Sequence, residues 1–262
     1  MIKFFRHIRL RLITKASSDK VRQRMIKENR CFRYFLYAIG EITLVVIGIL
    51  IALQVSDWNE QRKYLKQEVK ILNQLNADLK ANEIEIDGLN DIQKTRMWMC
   101  DSILVYLNDK RPFDDSLKRY FEKINTDGLF NCSNTTYKYI QSQGVNFLSN
   151  DTLRGKVTRM YERDFQNVFT REEMTWRIIH ESLRPAYDRL FKSTLAVYQA
   201  EDYYLVNTPK DMGILYKDEA FKNAVVRLRA AVVVRVRYIS ETLIDLNQLI
   251  EEINVETKRL SE

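Results

Sequence analysis

Turn-forming residues are scarce in this chain, with 7 glycines and 3 prolines among 262 residues. Such sparse punctuation disfavours many short strands and favours long helices. Histidine is scarcer still. His7 and His180 are the whole complement, so no H-x-x-x-H spacing exists to hold a catalytic zinc. C-x-x-C, P-loop and G-x-S-x-G spacings are also missing. Carboxylates abound, but a di-iron bundle needs E-x-x-H pairs, and none occurs. Glu172 and Glu173 read instead as a solvated helix face. His180, beside Ile179, reads as a bundle histidine satisfied by its neighbours. These absences point away from an enzyme and imply no metal and no cofactor.

An excess of positive charge is present overall, yet it is missing from most of the chain. The net charge is +7. Residues 1–37 hold eleven Lys/Arg against Asp19 and Glu28, which is +9; the rest holds 31 basic and 33 acidic residues, which is −2. A nucleic-acid-binding domain carries its basic patch on the folded body, so nucleic acid is not an expected partner.

The basic segment precedes the one long apolar run, "YFLYAIGEITLVVIGILIALQVSDWNE", residues 34–60. Phe35 to Val55 supplies 21 residues, and a bilayer core needs about 20 in a helix. A cleaved signal peptide has a shorter apolar region and a small-x-small site, which "ALQVSDWNE" does not offer. The run therefore reads as an uncleaved membrane anchor. Glu41 within it costs about 3 kcal/mol on insertion scales, while each Ile, Leu or Val returns up to about 0.5. Residues 42–55 hold ten of these, so insertion stays favourable. By the positive-inside rule the N-terminus is cytoplasmic, and in a bacterium the remainder is periplasmic. The division expected is 1–33 basic cytoplasmic leader, 34–56 transmembrane helix and 57–262 periplasmic helical-bundle domain. Ile2, Phe5, Ile8 and Leu12 in the leader fit either a helix on an anionic membrane surface or a simple topology signal.

Beyond the span the pattern is helical. Leu65, Leu72, Leu79 and Ile86 recur every seven residues, with Val69, Leu75 and Leu89 beside them, which predicts one helix from the span to about Asn108. Short helices are expected over about 115–125 and 135–142. Asn150 or Asp151 then caps a longer helix carrying Leu153, Val157, Met160, Trp176, Ile179, Leu183, Ala186 and Leu190, kinked at Pro185. "EDYYLVNTPKDMGILYKDEA" is expected to be irregular. "VVVRVRYIS" alternates like a strand, but Val232, Val236, Ile239, Leu243, Leu246, Ile250 and Ile253 hold a 4,3 spacing over three heptads, and a helix over about 218–258 is favoured. The fold class expected is all-α, one N-terminal transmembrane helix followed by an elongated periplasmic antiparallel bundle with a short helical insertion.

Three further features bear on assembly. Gly48 and Ala52 form a small-xxx-small pair, a candidate dimer face or ordinary small residues of a membrane helix. A homodimer through the span would also give Glu41 a partner away from lipid. Cys100 and Cys132 are candidates for a disulfide closing a loop of about 30 residues, or else two free thiols, because spacing does not supply Cα distances.

"YAIGEITLVVIGILIALQVSDWNE" with its basic leader "MIKFFRHIRL" closely resembles the opening of an uncharacterised Bacteroidota family of single-pass inner-membrane proteins, a domain of unknown function. "TYKYIQSQGVNFLSNDTLRGKVTRMYE" is similar to that family's second block, though Ser142-Gln143-Gly144 stands where a second Ser is usual. The resemblance implies an inner-membrane protein with a helical periplasmic body and brings no activity. The expectation is a non-enzymatic protein whose body binds an envelope protein partner or scaffolds an envelope complex. The alternative is a sensor-like module that binds a periplasmic ligand and signals through a cytoplasmic partner.

Overall fold

The computed structural model describes residues 30–126, 128–144, 147–199 and 202–262. The leader positions named above lie outside the described residues. The fold is all-α in class, 84% helical. In chain order the elements are α1 (Arg30–Asn108), α2 (Asp115–Ile124), α3 (Thr135–Gln143), α4 (Asp151–Arg159), α5 (Phe165–Ile178), α6 (Arg184–Leu190), β1 (Phe191–Gln199), β2 (Asp202–Pro209), α7 (Met212–Leu215) and α8 (Glu219–Ser261). Single π-helical turns, Met160–Asp164 and Ile179–Leu183, join α4 to α5 and α5 to α6 in one continuous rod. The chain divides between Tyr64 and Leu65 into two units.

In the first unit α1 is long and apolar enough to cross a membrane. Its most apolar 18-residue window has a mean hydropathy of 2.4, and none of that window is buried in the protein. A core helix of equal hydropathy would be covered on most of its surface.

The second unit is built on three helical strands of chain, α1 from Leu65 onward, the α4–α6 rod and α8. Two apolar clusters fill it. The first joins Leu72, Leu79 and Ile86 of α1 to Leu153, Val157 and Phe165 of the rod and to Ile239, Leu246 and Ile253 of α8. The second joins Ile103 and Leu107 to Leu117 and Phe121 of α2, Ile179 and Leu183 of the rod, and Phe221, Leu228 and Val232 of α8. Both α1 and the rod therefore run from the first cluster to the second, parallel to one another, and α8 runs antiparallel to both. The segment between α1 and the rod makes this possible. It starts in the second cluster with α2 and returns to the first through Phe130, Tyr137 and Leu148.

Local chemistry explains the ends. Asp114, Asn150 and Asp218 cap α2, α4 and α8 by accepting from Leu117, Leu153 and Phe221 N–H, satisfying donors the first turn cannot. Gly144 closes α3 at φ 97°, a backbone region open to glycine. Pro185 does not break the rod. It follows directly on the Ile179–Leu183 turn, where Arg184 N–H already reaches back five residues to the Ile179 carbonyl. The wider turn accommodates a residue that has no N–H to donate.

Two expectations are corrected. Part of the stretch read as irregular is β2, paired antiparallel with β1 in the register Phe191↔Pro209 to Gln199↔Asp202. At Phe191 the backbone turns extended, φ −116° and ψ 154°, and its buried ring packs against Phe121 with centroids 4.8 Å apart and stacks on Tyr187 at 4.4 Å. Tertiary contact with this aromatic cluster thus fixes the base of the hairpin, with Asn207 buried there and bonded to Ser193 at 2.8 Å. Second, the α1 heptad becomes buried only from Leu72. Leu65 is exposed, and Glu68 is the buried residue of that turn.

Candidate functional site

Glu41, Gly48 and Ala52 share one face of α1. They fall on the series Ala38, Glu41, Val45, Gly48, Ala52, Val55, spaced 3,4,3,4,3, which keeps a single seam on a helix. Every Ile, Leu and Phe between 35 and 55 falls off this seam. A Cβ built at Gly48 would meet nothing within 4 Å. The seam is therefore narrow, open and small, the shape that lets two helix backbones approach closely in lipid.

Cys100 and Cys132 are both free thiols. Cys100 sits inside the second apolar cluster, and Cys132 packs against the first. Burial pushes the Cys100 thiol up to about 12 and the Cys132 thiol up to about 11, away from the thiolate that does chemistry. His180 makes local contacts, its Nδ1 2.9 Å from the Trp176 carbonyl oxygen and its ring stacked on the indole at 3.8 Å. Among the described residues no group of three or more His, Cys, Asp or Glu could hold a metal ion.

The feature that sequence reading missed lies between the two apolar clusters. There α1 buries Asn90, Gln93 and Arg96, the rod buries Thr175, and α8 buries Arg235 at 0% exposure. Glu172 of α5 joins them, its side chain 13% exposed and 3.2 Å from Arg235. Glu173 behaves as the sequence suggested, pairing with Arg177 on the surface, but Glu172 does not. Leaving a buried charge unsatisfied costs a few kcal/mol or more, and the returning segment supplies partners for the three charged side chains. Arg96 donates to the Thr126 carbonyl and to Gln93 Oε1, Arg235 donates to the Gly128 carbonyl at 2.9 Å, and Glu172 accepts from Phe130 N–H at 3.0 Å. Three charged side chains from three helices thus hold alternate backbone groups of one segment. Gly128 sits close against α1, where a Cβ would stand 2.8 Å from Leu89 Cδ2 and push that side chain aside.

A second set of ties fixes the same segment lower down. Asn82 and Ser133 exchange backbone and amide bonds at 2.9 and 2.6 Å, and Asp78 accepts from Thr136 N–H at 3.0 Å. Tyr137 and Tyr161 stack at 4.4 Å, and burial raises both phenols, Tyr137 to about 12. Glu68 accepts from both the N–H and the hydroxyl of Ser149, at 2.7 and 2.9 Å. A signal for these was present only as single polar residues in apolar heptad positions, Asn82 and Gln93 among them.

The class this architecture defines is an all-α protein with a helical body and one helix long and apolar enough to cross a membrane. The chain belongs to a family of unknown function (DUF6090), whose profile matches residues 41–202. The match begins at Glu41 and ends on the first residue of β2, so α8 and Arg235 lie beyond it. No curated protein and no solved structure matches the chain.

Proposed function

We propose that this is a non-enzymatic, single-pass inner-membrane protein with a cytoplasmic N-terminus and a periplasmic helical body, acting as a scaffold or docking partner in an envelope complex. The observation that carries the reading is the wholly uncovered apolar window of α1, preceded in sequence by the chain's entire positive excess. The body's extensive internal ties support a holding role. Arg96, Glu172 and Arg235 spend their charges on fixing one segment in place.

In this reading the span pairs with a second copy through the Glu41, Gly48 and Ala52 seam, which turns Glu41 toward protein rather than lipid. Crosslinking with mass spectrometry on native membranes tests both parts. An envelope protein recovered reproducibly on the body supports the scaffold. A histidine kinase or regulator recovered on the leader overturns it in favour of a sensor. A reporter fused after Glu262 should be active in the periplasm, and cytoplasmic activity would reverse the topology. If Glu41→Leu leaves oligomeric state and partner recovery unchanged, the carboxylate only snorkels to the nearer interface.

A further inference from the structure

We propose that the outer face of α1 in the helical body is a docking surface for a second copy of this chain, met as a parallel two-stranded coiled coil. Ala81, Ile84, Gly88, Asp91, Thr95 and Trp98 follow a 3,4,3,4,3 spacing, and all six are exposed. The same spacing extends back to Ala77 and on to Val105, about four heptads, long enough to read as a coiled-coil seam. This seam lies across the helix from Leu79 and Ile86, which face the core. Ile84 on it is 74% exposed, and Ile92 beside it, Trp98 and Val105 are 50, 55 and 45% exposed. Among the described residues these four are all the large apolar side chains that α1 exposes beyond Leu65. Their gathering on one side marks an unpartnered contact face. The small residues between them let a second backbone come close, and a Cβ at Gly88 would meet nothing within 4 Å.

Charge complementarity selects the occupant. Lys80 stands immediately before Ala81, and Glu85 immediately after Ile84, so the two flank the seam on opposite sides. Both are exposed, and neither has an ion-pair partner in its own chain among the described residues. Five residues apart on one helix, they point away from each other and cannot pair. In a parallel, in-register pair the flanking position of one helix reaches the opposite flank of the other five residues on. Lys80 then meets Glu85 of the second copy, and the two-fold axis repeats the contact. The chain thus supplies its own complement. Asp91 is the one charge on the seam itself, and Lys94 lies 3.8 Å from it, so the two copies do not bring bare carboxylates together. The inference extends to the body the two-copy assembly proposed for the span, through contacts separate from Glu41, Gly48 and Ala52.

The test is oxidative crosslinking of the full-length protein in native membranes, in a Cys31→Ser/Cys100→Ala/Cys132→Ser background. Ile84→Cys and Gly88→Cys report the body seam, Ala52→Cys reports the span, and Ile244→Cys, exposed on α8, is the control. Disulfide-linked dimer is expected at Ile84→Cys and Gly88→Cys and not at Ile244→Cys. Lys80→Glu should reduce the Ile84→Cys dimer several-fold, and adding Glu85→Lys should restore it, because the swapped charges pair again between copies. Both side chains are exposed and unpaired within the chain, so neither change should alter the melting curve. Dimer at Ala52→Cys without dimer at Ile84→Cys or Gly88→Cys overturns this inference and leaves the span pairing standing. Dimer at Ile84→Cys and Gly88→Cys without dimer at Ala52→Cys supports it and overturns the span pairing. Equal yields at Ile84→Cys and Ile244→Cys, crosslinks only to other proteins, or failure of the charge swap to rescue would each overturn the proposal.

Discussion

Arg235 of α8 and Glu172 of α5 face each other at 3.2 Å, and Arg235 has no exposed surface at all. The pair divides the core. Apolar packing lies on either side of it, and the segment returning from α2 is held through the middle by Gly128 and Phe130.

Removing one partner should therefore be costly. Arg235→Met strands the Glu172 carboxylate and the Gly128 carbonyl, and breaking a buried pair costs about 3 kcal/mol or more. For a body of this size that lowers the midpoint of thermal unfolding by roughly 10 °C. Adding Glu172→Leu should recover part of the loss, because the stranded charge is gone. Melting curves of the two single variants and the double variant give the coupling directly.

Cys100 and Cys132 should behave as inert thiols. In native protein both should resist alkylation at pH 8 and react after denaturation, with peptide mapping showing no disulfide between them. The pH dependence has a definite sign. The folded Cys100 thiol is held at about 12, above its ordinary value of 9.0. Its contribution is complete below the unfolded value. From about pH 9 upward the unfolded chain loses its proton first, so stability falls as pH rises toward the folded value. Cys100→Ala should remove that part of the alkaline slope in urea titrations.

Asp218 combines a helix cap with an ion pair. It accepts from Phe221 N–H at 2.8 Å and pairs with Arg189, whose guanidinium holds the carboxyl below its usual value. Asp218→Ala should cost about 1–2 kcal/mol, and Asp218→Asn less, because the amide oxygen still caps. The charge contributes above the unfolded value near 3.8 and is lost as pH falls through the folded one. Wild type and Asp218→Asn should thus converge in stability in acid, which paired denaturation curves at pH 7 and pH 3 would show.

Gly48 offers the cleanest probe of the span. A larger side chain meets nothing within the protein at that point. Gly48→Ile should leave insertion and the melting of the body unchanged while reducing crosslinked dimer several-fold. Ile47→Leu, off the seam, should not. Equal dimer yields from all three proteins would rule out pairing through this face.

How much was legible beforehand depended on how local the cause was. The apolar run of α1 and the heptad stripe of α8 could be read because each is a property of consecutive residues. That stripe correctly outweighed the strand-like "VVVRVRYIS", which lies within α8 (Glu219–Ser261). The hairpin was not legible, because helix α6 ends where Phe191 finds the Phe121 and Phe221 rings, residues distant in the chain. Trp176, one of the apolar residues the rod carries, is exposed. Arg235 and Glu172 had the look of surface charges, since a charged residue in a helix is solvated by default.

The sequence alone determined that the chain is helical, that one helix is long and apolar enough to cross a membrane, and that its basic excess lies ahead of that helix. Periodicity and hydropathy are sums over neighbouring residues and need no knowledge of the fold. Only the tertiary structure decided that α1 and the rod run parallel, that Cys100 and Cys132 pack in different apolar clusters, and that two buried arginines and a largely covered glutamate hold a passing segment. Those outcomes turn on which distant groups meet, because a buried charge is tolerable only where the rest of the chain brings it a partner.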